Sequence, residues 1–546
     1  MQVWTQNYNP LGNAALSTAV AALPVTLLFY LLAVRKMHAH WASVWSFVSA
    51  LVIAVAVFGM PAPMVAASVG HGFVYAVIRI AWTLLAAVFV YEITVESGHF
   101  ETIKSSIGAI TDDRRLQMVL VAFAFGAVME GAGGGGAPVA ICGAMMVGLG
   151  FPPFQSAVLC LIANTAPVAF GGMGNPIRTL VAVTALPEPD LSATVARILA
   201  PMSLILPFWL VRSMVSWGET MRVWPGLLAT GLVFGAIKLF WATYIDGTLV
   251  DIMAGMVTLL VCAIFFKVWK PKPIWRYPNE AATQKAHKSS HAEVLHAWSP
   301  FLLIAVFVVV WGLPACKKML NTTSLQVEVP GLHNLVLRTP PVVSKEHTEP
   351  AVMDVAWLSA VGTATFIAGL IAGPLLGLTL RRTLKVFGKT VHRLRFSFVA
   401  IFCMICLGYV TRYSGMDAVM GLALTHTGWW YPLFGTLIGW MGVALTGTDA
   451  GSNALFGSLQ VITANGLGLS PVLMAAANSA GGVMGKMIDA QSLIVGCVAC
   501  GIEGQEGNLF RAVIKHSIAL AVLVGLTVML IAYVFPWLVT SGHKYW

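Results

Sequence analysis

Long apolar runs, separated by short polar stretches, pattern this 546-residue chain from end to end. A helix needs about 20 apolar residues to cross a bilayer. Runs of that kind predict twelve spans, at 14–34, 41–60, 72–91, 153–186, 196–216, 225–245, 249–267, 297–314, 353–379, 396–412, 470–500 and 511–538. Two further apolar segments, 116–150 and 430–465, do not fit this scheme. Each is too long for one crossing and too interrupted for two. Each reads as a re-entrant hairpin, a half-helix entering, a loop at mid-membrane and a half-helix returning. The expected fold is an all-α polytopic membrane protein of about twelve spans plus two re-entrant hairpins.

The interruptions define the chemistry. The first is Met129-Glu130-Gly131-Ala132-Gly133-Gly134-Gly135-Gly136-Ala137-Pro138, and the second is Leu445-Thr446-Gly447-Thr448-Asp449-Ala450-Gly451-Ser452-Asn453. Glycine and proline weaken helices, and a lone charge in lipid costs roughly 2.5–3.5 kcal/mol or more. Such breaks persist only where the freed backbone is buried in protein or lines a wet cavity. The spans that follow each hairpin are also interrupted, at Asn164-Thr165-Ala166-Pro167 through Gly174-Asn175-Pro176 and at Asn478-Ser479-Ala480-Gly481 through Ala490-Gln491-Ser492. Each should unwind in mid-span and face its hairpin tip.

The two halves repeat. Thr94-x-x-Ser97-Gly98 corresponds to Thr411-x-x-Ser414-Gly415 at an offset of 317. Gly126, Gly131 and Gly135 correspond to Gly442, Gly447 and Gly451 at 316, and Asn164 to Asn478 at 314. Residues 1–268 then form a first repeat, 269–296 a basic cytoplasmic loop, and 297–546 a second repeat with an outer loop at 315–352. With the N-terminus placed outside, cytoplasmic loops and their edges hold eighteen Lys and Arg residues against five outside. That bias follows the positive-inside rule. Both termini fall on the outer side, and the hairpins enter from opposite faces, so the repeats are inverted. Inverted repeats with broken helices meeting at the midplane are the architecture of secondary transporters.

Composition narrows the class further. The chain is 58% hydrophobic and 10% charged, with mean hydropathy +0.82. Soluble domains carry about 25% charged residues, so no large soluble domain fits. The net charge of +10 reflects topology rather than nucleic-acid binding. Met1–Pro10 lacks a basic n-region and a small-residue cleavage site, so no signal peptide is expected. The paired cysteines Cys403/Cys406 and Cys497/Cys500 lie in apolar helices without a nearby histidine and read as packing. His287 and His291 share a helical spacing but sit in a basic polar loop, where a solvated face is expected. No metal, cofactor or nucleophile–base constellation is expected, and therefore no enzyme.

The glycines at the first tip let backbone N–H groups approach an anion, and a half-helix N-terminus favours negative charge. Glycines for tight helix packing would explain Gly131, Gly134, Gly135 and Gly136, but not Glu130. Glu130 has no cation near it in sequence and is a proton-coupling candidate. In the second loop Thr446, Thr448, Ser452 and Asn453 offer hydroxyls and an amide for a small polar substrate. Asp449 is either a second proton carrier or the N-cap of the returning helix. Lys486 is the most deeply embedded cation of the region and a carboxylate ligand, unless it pairs with Asp489; Arg178 is a weaker candidate. Asn164, Thr165, Asn478 and Ser479 complete the polar groups at the broken spans.

These stretches resemble the bacterial L-lactate permease family, which also includes glycolate permeases. The resemblance runs nearly end to end. It is carried by Trp4-x-Gln6-Asn7-Tyr8-x-Pro10-x-Gly12-Asn13, the Glu130–Ala140 loop, Asn164-Thr165-Ala166-Pro167-Val168-Ala169-Phe170-Gly171, Arg338-x-Pro340-Pro341-Val342-Val343, Thr446-Gly447-x-Asp449-x-x-Ser452-Asn453, and Gly485-Lys486-Met487-Ile488. It implies proton symport of a small 2-hydroxy acid anion, L-lactate with D-lactate or glycolate, into the cell across the bacterial inner membrane. More remotely, paired hairpins resemble the ion-transporter superfamily, which implies an elevator motion and a homodimer. Gly135 stands where the family usually carries Phe, Gly133 where Ala is usual, and Asn175 where an apolar residue is usual, which should loosen the pocket. The rival expectations are a sodium-coupled carboxylate carrier of the same fold, with Asn164, Thr165, Asn478 and Ser479 as sodium ligands, and a membrane-embedded enzyme.

Overall fold

The structure is a computed structural model that describes all residues except 1–2, 36, 135–136, 278–289, 313, 344, 540, 543–544 and 546. The expectations for Lys36, Lys285, His287, Lys288 and Lys544 lie outside the described residues. The chain is dominated by helices, as its apolar runs require. Among the described residues seven helices are long and apolar enough to cross a membrane, or eight if one bent pair counts as a single span.

In chain order the elements that build the site are α1 (Ala62–Glu96), α2 (His99–Gly108), α3 (Arg114–Ala132), α4 (Ala137–Gly148), α5 (Pro153–Ala163), α6 (Gly171–Thr184), α7 (Glu188–Met214), α8 (Trp224–Tyr244) and α9 (Val250–Val268). After the polar loops come α10 (Leu380–Ser414), α11 (Met416–Leu424), α12 (Tyr431–Thr446), α13 (Asp449–Leu467), α14 (Pro471–Gly485), α15 (Ala490–Cys500) and α16 (Glu506–Tyr533). The predicted hairpins are α3–α4 and α12–α13. The first arm, α3, is longer than the expected half-helix: it runs for 19 residues and includes a π-helical stretch, Val119–Phe125. Its return arm has only 12 residues.

The same order of elements recurs in both halves. α1 and α10 end at Gly98 and Gly415, both left-handed with φ of 80° and 86°. Each is followed by a short helix, a hairpin and a broken span. The basic stretch 381–395 is part of the 35-residue α10 rather than a loop. Its Arg382 and Lys389 sit 3.1 and 3.3 Å from Glu96, and Arg393 pairs with Glu92, so the helix is fastened to the end of α1.

The halves interlock. α13 packs on α6, the second part of the first broken span, and α15 packs on α4. α12 and α14 approach so closely that a Cβ at Gly439 or Gly481 would fall 2.0 or 2.1 Å from a carbonyl oxygen of the facing helix. Small residues permit that approach in a membrane, where close packing replaces the hydrophobic drive.

The loop after residue 315 forms a cap. Strand β1 (Trp4–Thr5) pairs in parallel with β3 (Val336–Arg338), which pairs with β4 (His347–Thr348); β2 (Leu325–Glu328) pairs with β5 (Val352–Val355). This explains two motifs of the sequence together. Gln6 donates to the carbonyls of Arg412 and Tyr413 at 2.9 Å, closing the end of α10. Glu349 lies 3.0 Å from Arg338 and 2.8 Å from Arg412. Burial works to raise the Glu349 carboxyl, but the two guanidinium groups outweigh it and hold it below the usual range. A carboxyl lowered in this way stabilises the fold above its unfolded value and loses that contribution as pH falls through the folded one. The cap should therefore be firm at neutral pH and open on acidification below about pH 4. Glu349→Gln should weaken it by about 3–5 kcal/mol, because both arginines lose their counter-charge. Limited proteolysis of the 322–352 loop checks both: cleavage should rise in the variant at neutral pH and in the unaltered protein in acid, and unchanged cleavage would contradict the assignment.

Candidate functional site

The two tips and the two breaks meet inside the protein. At the first tip Gly134 adopts φ 58° and ψ −165°, a conformation open to glycine, and its N–H closes on the Glu130 carbonyl at 2.9 Å. Its Cα lies against Gly172 of the first break, where a Cβ would sit 3.3 Å from the Gly172 nitrogen. That break bends the span by 61°. Gly172, Met173 and Gly174 follow one another in left-handed geometry. The strained Met173 is held by Arg178, which donates to its carbonyl at 3.1 Å and to Thr248 at 2.8 Å. Arg178 thus supports the break through both of these bonds.

Glu130 projects from α3 into this junction. It is 3% exposed. A Cβ on Gly171 would lie 2.7 Å from its Oε1, and its Oε2 has no hydrogen-bond partner. Its electrostatic neighbours are Lys486, Asn164 and Asp489. One carboxyl from the first hairpin therefore faces both breaks. Asn164 is buried beside Glu130 with neither amide atom in a close hydrogen bond, whereas the Thr165 hydroxyl donates to Ile162 at 2.8 Å.

The second tip is built differently from one expectation. The N-cap of α13 is Thr448, whose hydroxyl accepts from the Gly451 N–H, and Asp449 is the first helical residue. A threonine in extended geometry takes the capping place, which frees the aspartate to turn inward. Asp449 accepts the Ser479 hydroxyl at 2.5 Å through Oδ2, and its Oδ1 is unpartnered. Thr448 is exposed, and the Thr446 hydroxyl donates to Gly442 at 2.8 Å. Lys486 caps the tip by donating to the Gly447 carbonyl at 2.7 Å, and it lies 3.2 Å from Asp489. Asp489 in turn N-caps α15 through the Ser492 N–H.

Other predicted ligands are held by the protein. Asn453 donates to Pro176 at 3.1 Å, Asn478 donates to Asn453 at 2.9 Å, Gln460 donates to Asn478 at 3.1 Å, and Ser452 donates to Gly439 at 3.0 Å. This buried network joins the second hairpin to both breaks. Gly131 packs on α9, where a Cβ would meet Ile252 at 2.7 Å. Gly135 and Gly136 lie outside the described residues. No group of three metal-ligating side chains occurs among the described residues.

Two buried charged groups beside the first break were missed in the sequence. Lys238 of α8 is 1% exposed and Asp251 of α9 fully buried, 3.5 Å apart. Lys238 donates to the Ala166 carbonyl of the first break at 2.5 Å and lies 5.3 and 5.5 Å from the Phe170 and Phe234 ring centres. The signal was available, since a charge inside an apolar span marks function by default.

Comparison with known proteins decides the family. The sequence model of L-lactate permease matches residues 17–535. The chain belongs to the L-lactate permease family. It is 41% identical over 560 residues to the glycolate permease GlcA of Escherichia coli strain K12, covering 99% of this chain and all of that one. It is 40% identical over 550 residues to the L-lactate permease of the same strain, again covering 99% and 100%. To the L-lactate permease of Bacillus subtilis strain 168 it is 38% identical over 565 residues, covering 98% and 100%. Among solved structures, the YdaH transporter of Alcanivorax borkumensis resembles it with a TM-score of 0.51 at 13% identity, covering 92% of this chain and 100% of that chain. That likeness is one of fold. The relatives are permeases rather than enzymes, and this permease is a multi-pass membrane protein.

The geometry makes Lys486 a keystone of the second tip. Lys486→Met should cost about 3–5 kcal/mol, because it leaves Asp489 and the Gly447 carbonyl buried without their cation. Lys486→Met combined with Asp489→Asn should recover part of that loss. Thermal unfolding in detergent measures both, and additive losses in the double variant would contradict the pairing.

Proposed function

We propose that this permease imports small 2-hydroxymonocarboxylates, L-lactate and glycolate with D-lactate, by proton symport across the bacterial inner membrane. The names of the relatives support the substrate class. The observation that carries the coupling is Glu130, a buried carboxyl at the meeting point of both breaks with one oxygen unpartnered and no ion pair among the described residues. Around it Lys238 faces Asp251 and Lys486 faces Asp489, whereas Glu130, like Asp449, has no paired cation among the described residues, and Glu130 is the one that lies between both breaks. An anion entering such a low-dielectric site adds a charge that a proton on Glu130 offsets.

In this reading the substrate carboxylate approaches the first tip's amides, with Lys486 reaching it only by leaving its partner Asp489; its hydroxyl binds the buried amide of Asn164 and the exposed Thr448, and Glu130 carries the proton, with Asp449 as the second candidate. The hydrogen bonds already made by Thr165, Asn478 and Ser479 weigh against a sodium site there. The recurrence of helix, left-handed glycine, hairpin and broken span in both halves supports two inverted repeats, about twelve spans with both termini periplasmic, and an elevator-type carrier working as a homodimer.

Uptake of labelled lactate or glycolate into proteoliposomes tests the reading. It should follow an inward proton gradient, collapse with a protonophore, and persist when choline replaces sodium at fixed pH. Glu130→Gln should continue exchange while losing at least about tenfold in gradient-driven accumulation per pH unit, the factor that one proton per anion supplies. Undiminished accumulation would clear Glu130 of the role.

A further inference from the structure

Asp251 is the least satisfied of the buried carboxyls around the breaks. Asp489 accepts the Ser492 N–H and Asp449 accepts the Ser479 hydroxyl. Asp251 is fully buried, and neither of its oxygens makes a close hydrogen bond. Its cation, Lys238, stands 3.5 Å away and gives its close hydrogen bond to the Ala166 carbonyl. Lys238 therefore compensates the charge of Asp251 while leaving both its oxygens able to take a proton.

The glycine before the first tip lets α9, which carries this carboxyl, close on α3 one residue from Glu130. A Cβ on Gly131 would lie 3.3 Å from the Asp251 Cβ and 2.9 Å from the Ile252 nitrogen. Any side chain there would push α3 and α9 apart and separate Glu130, the adjacent residue, from Asp251. The electrostatic neighbours of Asp251 are Lys238 and Glu130. From the other elements packed on α9, Arg178 of α6 reaches Thr248, and Asp246 accepts the Thr248 and Leu249 N–H groups in the turn before the helix. The π-helical stretch of α3 contributes no titratable group. The ordinary role for an aspartate in a first helical turn is to complement the helix dipole. That role does not need a buried lysine or a glycine opposite.

We propose that Glu130 and Asp251 form one two-carboxyl proton site, with Lys238 as its fixed counter-charge. The proton moves from the Glu130 carboxylic acid to the Asp251 carboxylate, leaving a Glu130 carboxylate and an Asp251 carboxylic acid, while Lys238 stays an ammonium. The pair titrates as a unit. A second buried carboxyl on the neighbouring helix gives the proton leaving Glu130 an acceptor inside the protein. This inference rests on the proton-symport reading above.

The test compares the unaltered protein with Asp251→Asn and Asp251→Glu in proteoliposomes, using labelled glycolate and a one-unit inward proton gradient. Asp251→Asn should continue counterflow but lose the roughly tenfold accumulation that one proton per anion drives, and Asp251→Glu should retain accumulation with a displaced pH profile. If the unaltered protein fails to accumulate, the symport reading falls. If it accumulates and Asp251→Asn does so equally with the same pH profile, the two-carboxyl site falls and the symport reading stands. Where Asp251→Asn does not fold, the charge-neutral pair Lys238→Met with Asp251→Asn takes its place with the same expectation. Infrared difference spectra of the unaltered protein on adding glycolate give an independent reading. They should show an aspartate carboxyl changing protonation, assigned by carbon-13 labelling, and a change confined to glutamate would overturn the proposal.

Discussion

A helix broken inside a bilayer leaves carbonyls that water cannot reach, and the protein must supply their partners. Here buried cations do so. Lys486 donates to Gly447 at the second tip, Lys238 to Ala166 in the first break, and Arg178 to Met173 in the same break. A buried cation itself requires a counter-charge, and the two lysines bring Asp489 and Asp251 to the same region. Satisfying the backbone thus concentrates charge inside the protein where the breaks meet, and Glu130 stands among these groups with no ion pair of its own among the described residues. The site's chemistry follows from the breaks that create it.

The breaks also set what the surrounding helices can be. Left-handed geometry at Gly172–Gly174 needs glycine at two of three positions and a tether at the third. The approach of α12 to α14 needs glycines that place carbonyls where side chains would stand. Asn453, Asn478 and Gln460 then bind the second hairpin to both broken spans, as a fully satisfied polar network does. Sites on such a frame are positioned by backbone rather than by flexible side chains.

Much of this was legible in the sequence. The four interruptions, their polar residues and the offsets near 316 are local patterns, and the structure brings Glu130, Asn164, Lys486 and Asp489 of those stretches near one another. What the sequence could not show was which polar atoms remain free. Asn164 and Asn478 occupy matching places in the repeat, yet Asn164 makes no close hydrogen bond and Asn478 is bonded through both amide atoms. Asp449 looked equally like a cap and a carrier until Thr448 took the capping place. The ends of α10 were misjudged because hydropathy marks where lipid stops, not where a helix stops. Lys238 and Asp251 were passed over because each sits alone in its apolar run, and their partnership joins two different helices.

The family likeness and the charge arrangement meet in one quantity, the number of protons taken up when a substrate anion binds. It is measured directly on purified protein in weakly buffered detergent solution, with a pH-sensitive dye, as glycolate or L-lactate is added. The account predicts uptake of about one proton per bound anion, offsetting the added charge in the buried site, and loss of that uptake in Glu130→Gln. Saturable binding of the anion with no proton uptake by the unaltered protein would contradict it.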